Sequence, residues 1–301
     1  MAAKNSPLAN GEKRDILSQK EGAEAMASKK GKKQQRYLWL GSLAVALGLG
    51  ILLLVLALPR QQSLPEPSTT PPPPPTTEAT LPPNPYGSED FQYDGEYLTC
   101  LTGESRAGID VSAHQGEIDW QQVADAGIRF AMIRVGYRGY ETGVLKVDDY
   151  ARENLTRAAE AGLELGVYFF SQAVTPEEAV REANFVLAIL KDTPLELGVA
   201  FDWEYVNETA RTAGMDSRTL TACAVAFCET IRAAGYEPII YFNRHVGQEL
   251  LILEELTDYP WWLAMYDEEM TWPYRISMWQ YSETGSVPGI DGYVDLNIQL
   301  S

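Results

Sequence analysis

"LGVAFDWEYVNE", residues 197–208, is a continuous apolar run that ends in two acids one residue apart, Asp202 and Glu204. An alternating run marks a strand with one wet face, whereas a continuous run marks a strand covered on both. Side chains at i and i+2 of a strand share a face. The two carboxylates are therefore aimed into one small volume, and Trp203 between them is expected in the packing on the other side. Such a cluster is either a solvated strand end or a carboxylate pair assembled for acid–base chemistry.

Working outward, similar runs recur at 108–112, 129–135, 163–171, 237–243, 261–267 and 276–281. Between them lie amphipathic stretches at 119–126, 148–161, 176–191, 217–234 and 246–256. The third has its own start signal, with Thr175 as cap, Pro176 at the first helical position and Glu178 three residues after the cap. Strands alternating with helices predict an α/β fold with a mostly parallel, helix-covered sheet. The last connections are too short for full helices, so the expectation is an irregular (β/α) TIM-like barrel. A doubly wound sheet is the runner-up, but no glycine-rich phosphate-binding sequence follows a strand. In barrels of this kind functional residues collect at the carboxyl ends of the strands.

Charge divides the chain. Residues 1–36 carry nine Lys/Arg and four acids, while the remainder carries fifteen basic and thirty-eight acidic residues. So acidic a surface works against nucleic acid as a partner. Residues 37–59 hold no charge over 23 positions, enough to span a hydrocarbon core of about 30 Å as a helix. Lys29, Lys30, Lys32, Lys33 and Arg36 precede this span, which predicts a basic cytoplasmic tail, one transmembrane helix and everything later outside the cell membrane. A cleaved signal peptide is the competing reading, weakened by the late start and great length of the stretch. Residues 60–103 begin as a Pro/Thr-rich segment, read as a semi-rigid extracellular linker. The catalytic domain is expected at 104–301. Cys100, Cys223 and Cys228 show neither zinc spacing nor a plausible bridge.

Four acids fall at strand ends or near the C-terminus: Asp110 in "GIDVS", Asp202 and Glu204, and Asp295 in "GYVDLN". Carboxylates clustered without His/Cys partners suit a divalent metal or glycosidic bond cleavage. For the second chemistry one carboxyl must stay protonated near neutrality, which neighbouring carboxylates achieve by repulsion. On this basis one carboxyl of the cluster is expected to keep a proton while a second stays charged. Aromatic side chains on the strands are sugar-stacking candidates, although strand alternation makes several of them core. Taken singly, an acid such as Asp110 at a strand end is more often solvated or a helix cap.

Five motifs occur in order: "GIDVSAHQGEIDW", "GVYFFSQA", "VAFDWEY", "WLAMYD" and "MWQYSETGSVPGIDGYVDLN". Together they resemble the glycoside hydrolase family 25 lysozymes, the Chalaropsis-type N-acetylmuramidases, over about 106–300. The resemblance implies a peptidoglycan hydrolase that cleaves the β-1,4 bond between N-acetylmuramic acid and N-acetylglucosamine. It makes Glu204 the general acid and Asp202 the group that stabilises the transition state by orienting the substrate's 2-acetamido group. Asp110 and Asp295 would tune the charge. Tyr168, Tyr241, Trp262, Trp279 and Gln280 would contact sugar. No metal or cofactor is implied, and a monomer is expected. A non-hydrolytic wall-binding module on a membrane stalk is the alternative.

Overall fold

A computed structural model describes residues 81–267 and 269–300. The basic tail, the apolar span 37–59 and the Pro-rich part of the linker lie outside the described residues. Among those that are described, no helix is long and apolar enough to cross a membrane.

The strands of the described residues begin with a hairpin of β1 (Phe91–Asp94) and β2 (Tyr97–Cys100). It continues through β3 (Ser105–Val111), α1 (Trp120–Asp125), β4 (Phe130–Arg138), β5 (Leu145–Val147), α2 (Ala151–Glu160) and β6 (Glu164–Ser171). Next come α3 (Pro176–Leu190), β7 (Gly198–Trp203), α4 (Ser217–Ala233), β8 (Pro238–Asn243), β9 (Trp261–Ala264), β10 (Met278–Gly285) and β11 (Val294–Leu300). The strand order is β3-β11-β10-β9-β8-β7-β6-β4-β5, and β3 also pairs with β4, which closes an eight-stranded barrel with β5 hung outside it. Every barrel pairing is parallel except the two made by β11, which runs antiparallel to β10 and β3.

Local chemistry places the helices. Thr175 Oγ1 accepts from the Glu178 backbone N–H ahead of Pro176, and Asp216 and Asp119 cap α4 and α1 in the same way. Strand alternation then sorts the side chains into two cores. Ile109, Ile133, Phe169, Phe201, Trp203 and Phe242 pack outward under the helices. Phe130, Met132, Ala200, Ile239, Trp262 and Met278 fill the barrel interior. Two glycines make that filling possible. A Cβ on Gly108 would sit 2.3 Å from the Phe130 ring, and one on Gly166 would sit 2.3 Å from Met132 Sδ.

Three sequence expectations change. Residues 246–256 do not form a helix but one π turn at Val246–Leu250 and a short 3-10 turn at Leu253–Glu255. Thr221 of α4 accepts the Ile252 N–H at 3.0 Å, which diverts a donor that a continuing helix would need. Residues 294–300, read only as a motif, are the antiparallel strand that completes the barrel. The boundary drawn at residue 104 also moves towards the N-terminus. Phe91 packs edge-on against Trp279 at 5.2 Å, Leu98 N–H donates to the Tyr281 hydroxyl, and Pro83 forms a β-bridge with Tyr274.

Candidate active site

The register of the closing strands builds the site. β11 pairs with β3 so that Asp295 lies directly opposite Asp110, and paired residues point to the same face. Asp110 Oδ2 accepts from Gln280 Nε2 at 2.7 Å and from Asn297 Nδ2 at 2.8 Å. Asn297 is oriented in turn by Trp262 Nε1, which donates to its Oδ1 at 2.8 Å. Gln280 is fixed by the Tyr241 and Tyr266 hydroxyls, which donate to its Oε1 at 3.1 and 2.8 Å. The Trp262 indole N–H can only donate and the Asp110 carboxylate accepts from both amides, which fixes the orientations of Asn297 and Gln280.

Asp202 and Glu204 enter from the end of β7. Both face the cavity, whereas Trp203 is packed in the outer core, as the alternation predicts. Asp202 is buried, and its Oδ1 has no hydrogen-bond partner among the described residues. Burial pushes all four carboxyls up. For Asp295 the negative charge of Asp110 and a hydrogen bond to it add to burial and carry the group to about 9. Asp295 therefore holds a proton and donates to Asp110, whose rise is moderated by its three hydrogen bonds.

The expectation of a charged Asp202 beside a protonated Glu204 meets a site in which burial raises both carboxyls. Glu204 is raised by burial and eased by a hydrogen bond from Tyr241. Asp202 lies deeper, feels Glu204 and then Asp110, and is raised further. The cation that eases it is Arg134. Arg134 Nε is held by Asp148 at 2.8 Å, and the same Asp148 oxygen accepts the Ala113 N–H at 3.0 Å.

The cavity measures about 300 Å³ and brings together Asp110, Asp202, Glu204 and Asp295. Tyr168, Tyr241, Trp262 and Gln280 line it as well. Trp279 does not, which corrects its assignment as a sugar contact. One position away from Gln280 on β10, it points out of the barrel, donates Nε1–H to the Met265 carbonyl at 2.7 Å and is buried under Phe91. Several lining residues were not singled out from sequence as site residues, among them Arg134, Glu283 and Gln115. Arg134 had a usable signal, since it is a charge inside the apolar run "FAMIRV" at inward alternation with Phe130 and Met132.

A second polar group braces the loop that carries Glu204. Gln172 Nε2 donates to the Glu204 backbone carbonyl at 3.1 Å, and Gln172 Oε1 accepts from Thr212 Oγ1 at 2.8 Å. Arg211 grips Glu178 with two bonds of 2.7 and 3.0 Å and donates to the Gln172 carbonyl at 2.6 Å. Beneath it Glu182, fully buried, accepts from Arg138 Nε and Ser171 Oγ, each at 2.5 Å.

Residues 109–290 match the family model described as Glycosyl hydrolases family 25. The protein YegX of Escherichia coli strain K12 is 32% identical over 203 residues, which is 64% of this chain and 68% of that protein. The autolytic lysozyme of Clostridium acetobutylicum is 25% identical over 191 residues, 63% of this chain and 54% of that one. A solved structure of the modular autolysin LytC from Streptococcus pneumoniae with a synthetic peptidoglycan ligand superposes with a TM-score of 0.57 at 27% identity. That likeness covers 65% of this chain and 46% of the autolysin, so this chain spans less than half the length of that relative.

Proposed function

The chain belongs to the glycosyl hydrolases family 25, and we propose that it is a muramidase cleaving the β-1,4 bond between N-acetylmuramic acid and N-acetylglucosamine in peptidoglycan. The observation that carries this reading is the pair at the end of β7. Asp202 and Glu204 share one cavity with aromatic side chains, both are pushed up towards the protonated form, and Asp202 presents a buried oxygen without a partner among the described residues.

That oxygen suits the N–H of a 2-acetamido group. Once the bond forms, the Asp202 anion is favoured and the proton shared by the pair settles on Glu204. Glu204 then protonates the glycosidic oxygen as the C1–O bond breaks, while the acetamido carbonyl oxygen closes on C1. Asp202 stabilises the positive charge that spreads over the new ring. In the second step water adds to C1 as the bond from C1 to the acetamido oxygen breaks and restores the acetamide, and the water loses its proton to the Glu204 carboxylate. This substrate-assisted course is one of the recognised departures from the two-carboxylate scheme. Asp110 and Asp295 share a proton beside the pair and keep the cavity negative. Tyr168, Tyr241, Trp262 and Gln280 present rings and polar atoms to the sugar.

We also place the enzyme outside a cell membrane, tethered as a monomer through residues 37–59. The charge-free span and the basic residues before it support this.

Incubating the full chain with purified peptidoglycan tests the main reading. Reducing ends should appear, with N-acetylmuramic acid at the new reducing terminus by mass analysis. The Glu204→Gln protein should release almost none. Sedimentation with peptidoglycan but no product from the wild type would replace the enzyme with a wall-binding module. Full turnover by the variant would remove Glu204 from its role.

A further inference from the structure

A second cavity of about 540 Å³ adjoins the catalytic one and shares His114, Arg134 and Phe170 with it. Its character is the opposite of its neighbour's. Arg134 and Lys146 both lie over the Tyr137 ring, at 5.4 and 5.9 Å from its centroid. The exposed Glu141 is the carboxylate on its lining.

The backbone builds this arrangement deliberately. Three residues apart on a regular strand, Arg134 and Tyr137 would face opposite ways. A register shift between Arg134 and Gly136 against β6 inserts one extra residue and turns Tyr137 to the face of Arg134. The hairpin then sets Lys146 directly opposite Tyr137 across the β4–β5 pair. Arg134 spends only its Nε on Asp148, so its two Nη groups have no protein hydrogen bond among the described residues. Two cations stacked on one aromatic ring, with N–H donors left over, fit an anion.

We infer that this groove is a subsite for a carboxylate carried by the sugar bound beside it. Within the muramidase reading, on which this subsite rests, that carboxylate belongs to the 3-O-lactyl arm of the muramyl residue. It is either the free lactyl group or the first free carboxylate of the peptide stem attached there. Both present the same chemistry to Arg134 and Lys146. The groove thus makes the enzyme select a muramyl sugar by charge as well as shape.

Three substrates with the same β-1,4 bond test this on the full chain. One is peptide-bearing peptidoglycan strands. The second is the same strands stripped by an amidase, which leaves free lactyl carboxylates. The third is the stripped strands coupled to methylamine, which neutralises them. The wild type should cleave an anionic substrate about tenfold faster at low concentration than the neutralised one, the scale of one charged hydrogen bond. Lys146→Ala and Tyr137→Leu, checked for folding by thermal melting, should each shrink that ratio towards one while leaving the neutralised strands cleaved at the wild-type rate. A preference on stripped strands assigns the lactyl carboxylate, and a preference on peptide-bearing strands alone assigns the stem. A wild-type ratio of one on both anionic substrates, with all three cleaved, overturns the subsite and leaves the muramidase standing. An undiminished ratio in both variants also overturns it. Cleavage of none of the three would instead overturn the muramidase.

Discussion

Glu178 and Asp295 are half-buried acids at the mouth of one barrel, yet their chemistry is opposite. Glu178 is drawn down to about 2, chiefly by its hydrogen bonds from Arg211. Asp295 is pushed up to about 9 by burial and by the negative charge of Asp110. Charge pairing divides the two groups these residues belong to, although burial raises Glu182 as it raises the cavity acids. Around Glu178 and Glu182 the acids are matched by Arg211 and Arg138. In the catalytic cavity five acids, the exposed Glu283 among them, share Arg134, whose Nε is already bound to Asp148. A carboxylate given its own cation is a fastener. Carboxylates that must share protons are reagents, kept in place by amides and hydroxyls that cost no counter-charge.

The sharpest way to break this division is to remove one acid from each side. Glu204→Gln should reduce hydrolysis on the order of 10²–10⁴-fold, the range for a lost general acid. Its melting temperature should hold or rise, since a carboxyl that repels its neighbours is gone. Glu182→Gln should do the reverse. It leaves the buried Arg138 guanidinium without its close anion, with Glu178 standing off at 4.0 Å, a loss of about 3–5 kcal/mol. In a domain of this size that lowers melting by roughly 10 °C, while the activity of the protein still folded stays near wild type. If Glu204→Gln melted early and Glu182→Gln melted normally, the division would be wrong.

Acidity sharpens the same contrast. The folded state raises Asp295, so it holds more protons than the unfolded chain between the ordinary carboxylate range and about 9. Its contribution is full below the ordinary range and is lost as pH rises through about 9. Glu178 is depressed, so its contribution is present above the ordinary range and is lost as pH falls through about 2. Thermal melts across pH should therefore show Asp295→Asn flattening the alkaline decline and Glu178→Gln flattening the acid decline. Exchange of the two effects would refute the assignment of protons.

Much of the catalytic group could be read from the chain, and almost none of the bracing group. Asp202 and Glu204 announce themselves because strand alternation is a local rule, and Asp110 and Asp295 because motifs in order carry them. Trp279 was misplaced by the same rule, one residue off in phase on β10. The pairings Gln172–Glu204 and Arg138–Glu182 join residues 32 and 44 apart, across loops whose path no local pattern specifies. Tyr137 needed a bulge, which reverses alternation and is marked in the chain by Gly136 alone. The closing strand β11 was hidden because its polar positions, Asp295 and Asn297, face the barrel interior rather than water.

Gln172 is where the two regions meet, and it should give the smallest effect. Its amide joins the Thr212 hydroxyl on one side to the Glu204 carbonyl on the other. It touches neither acid's side chain, so within the proposed mechanism it acts by holding the loop. Gln172→Ala removes one net hydrogen bond to Glu204, about 0.5–1.5 kcal/mol, and should lower kcat roughly three- to tenfold on a soluble muropeptide oligomer. KM should stay unchanged, because the sugar contacts are untouched, and the limb of the pH profile set by the general acid should move as Glu204 loosens. A drop in melting temperature with kcat and that limb intact would make Gln172 part of the scaffold alone. Loss of kcat with a displaced limb would show that the paired network does more than hold the barrel together: it sets where the unpaired one keeps its proton.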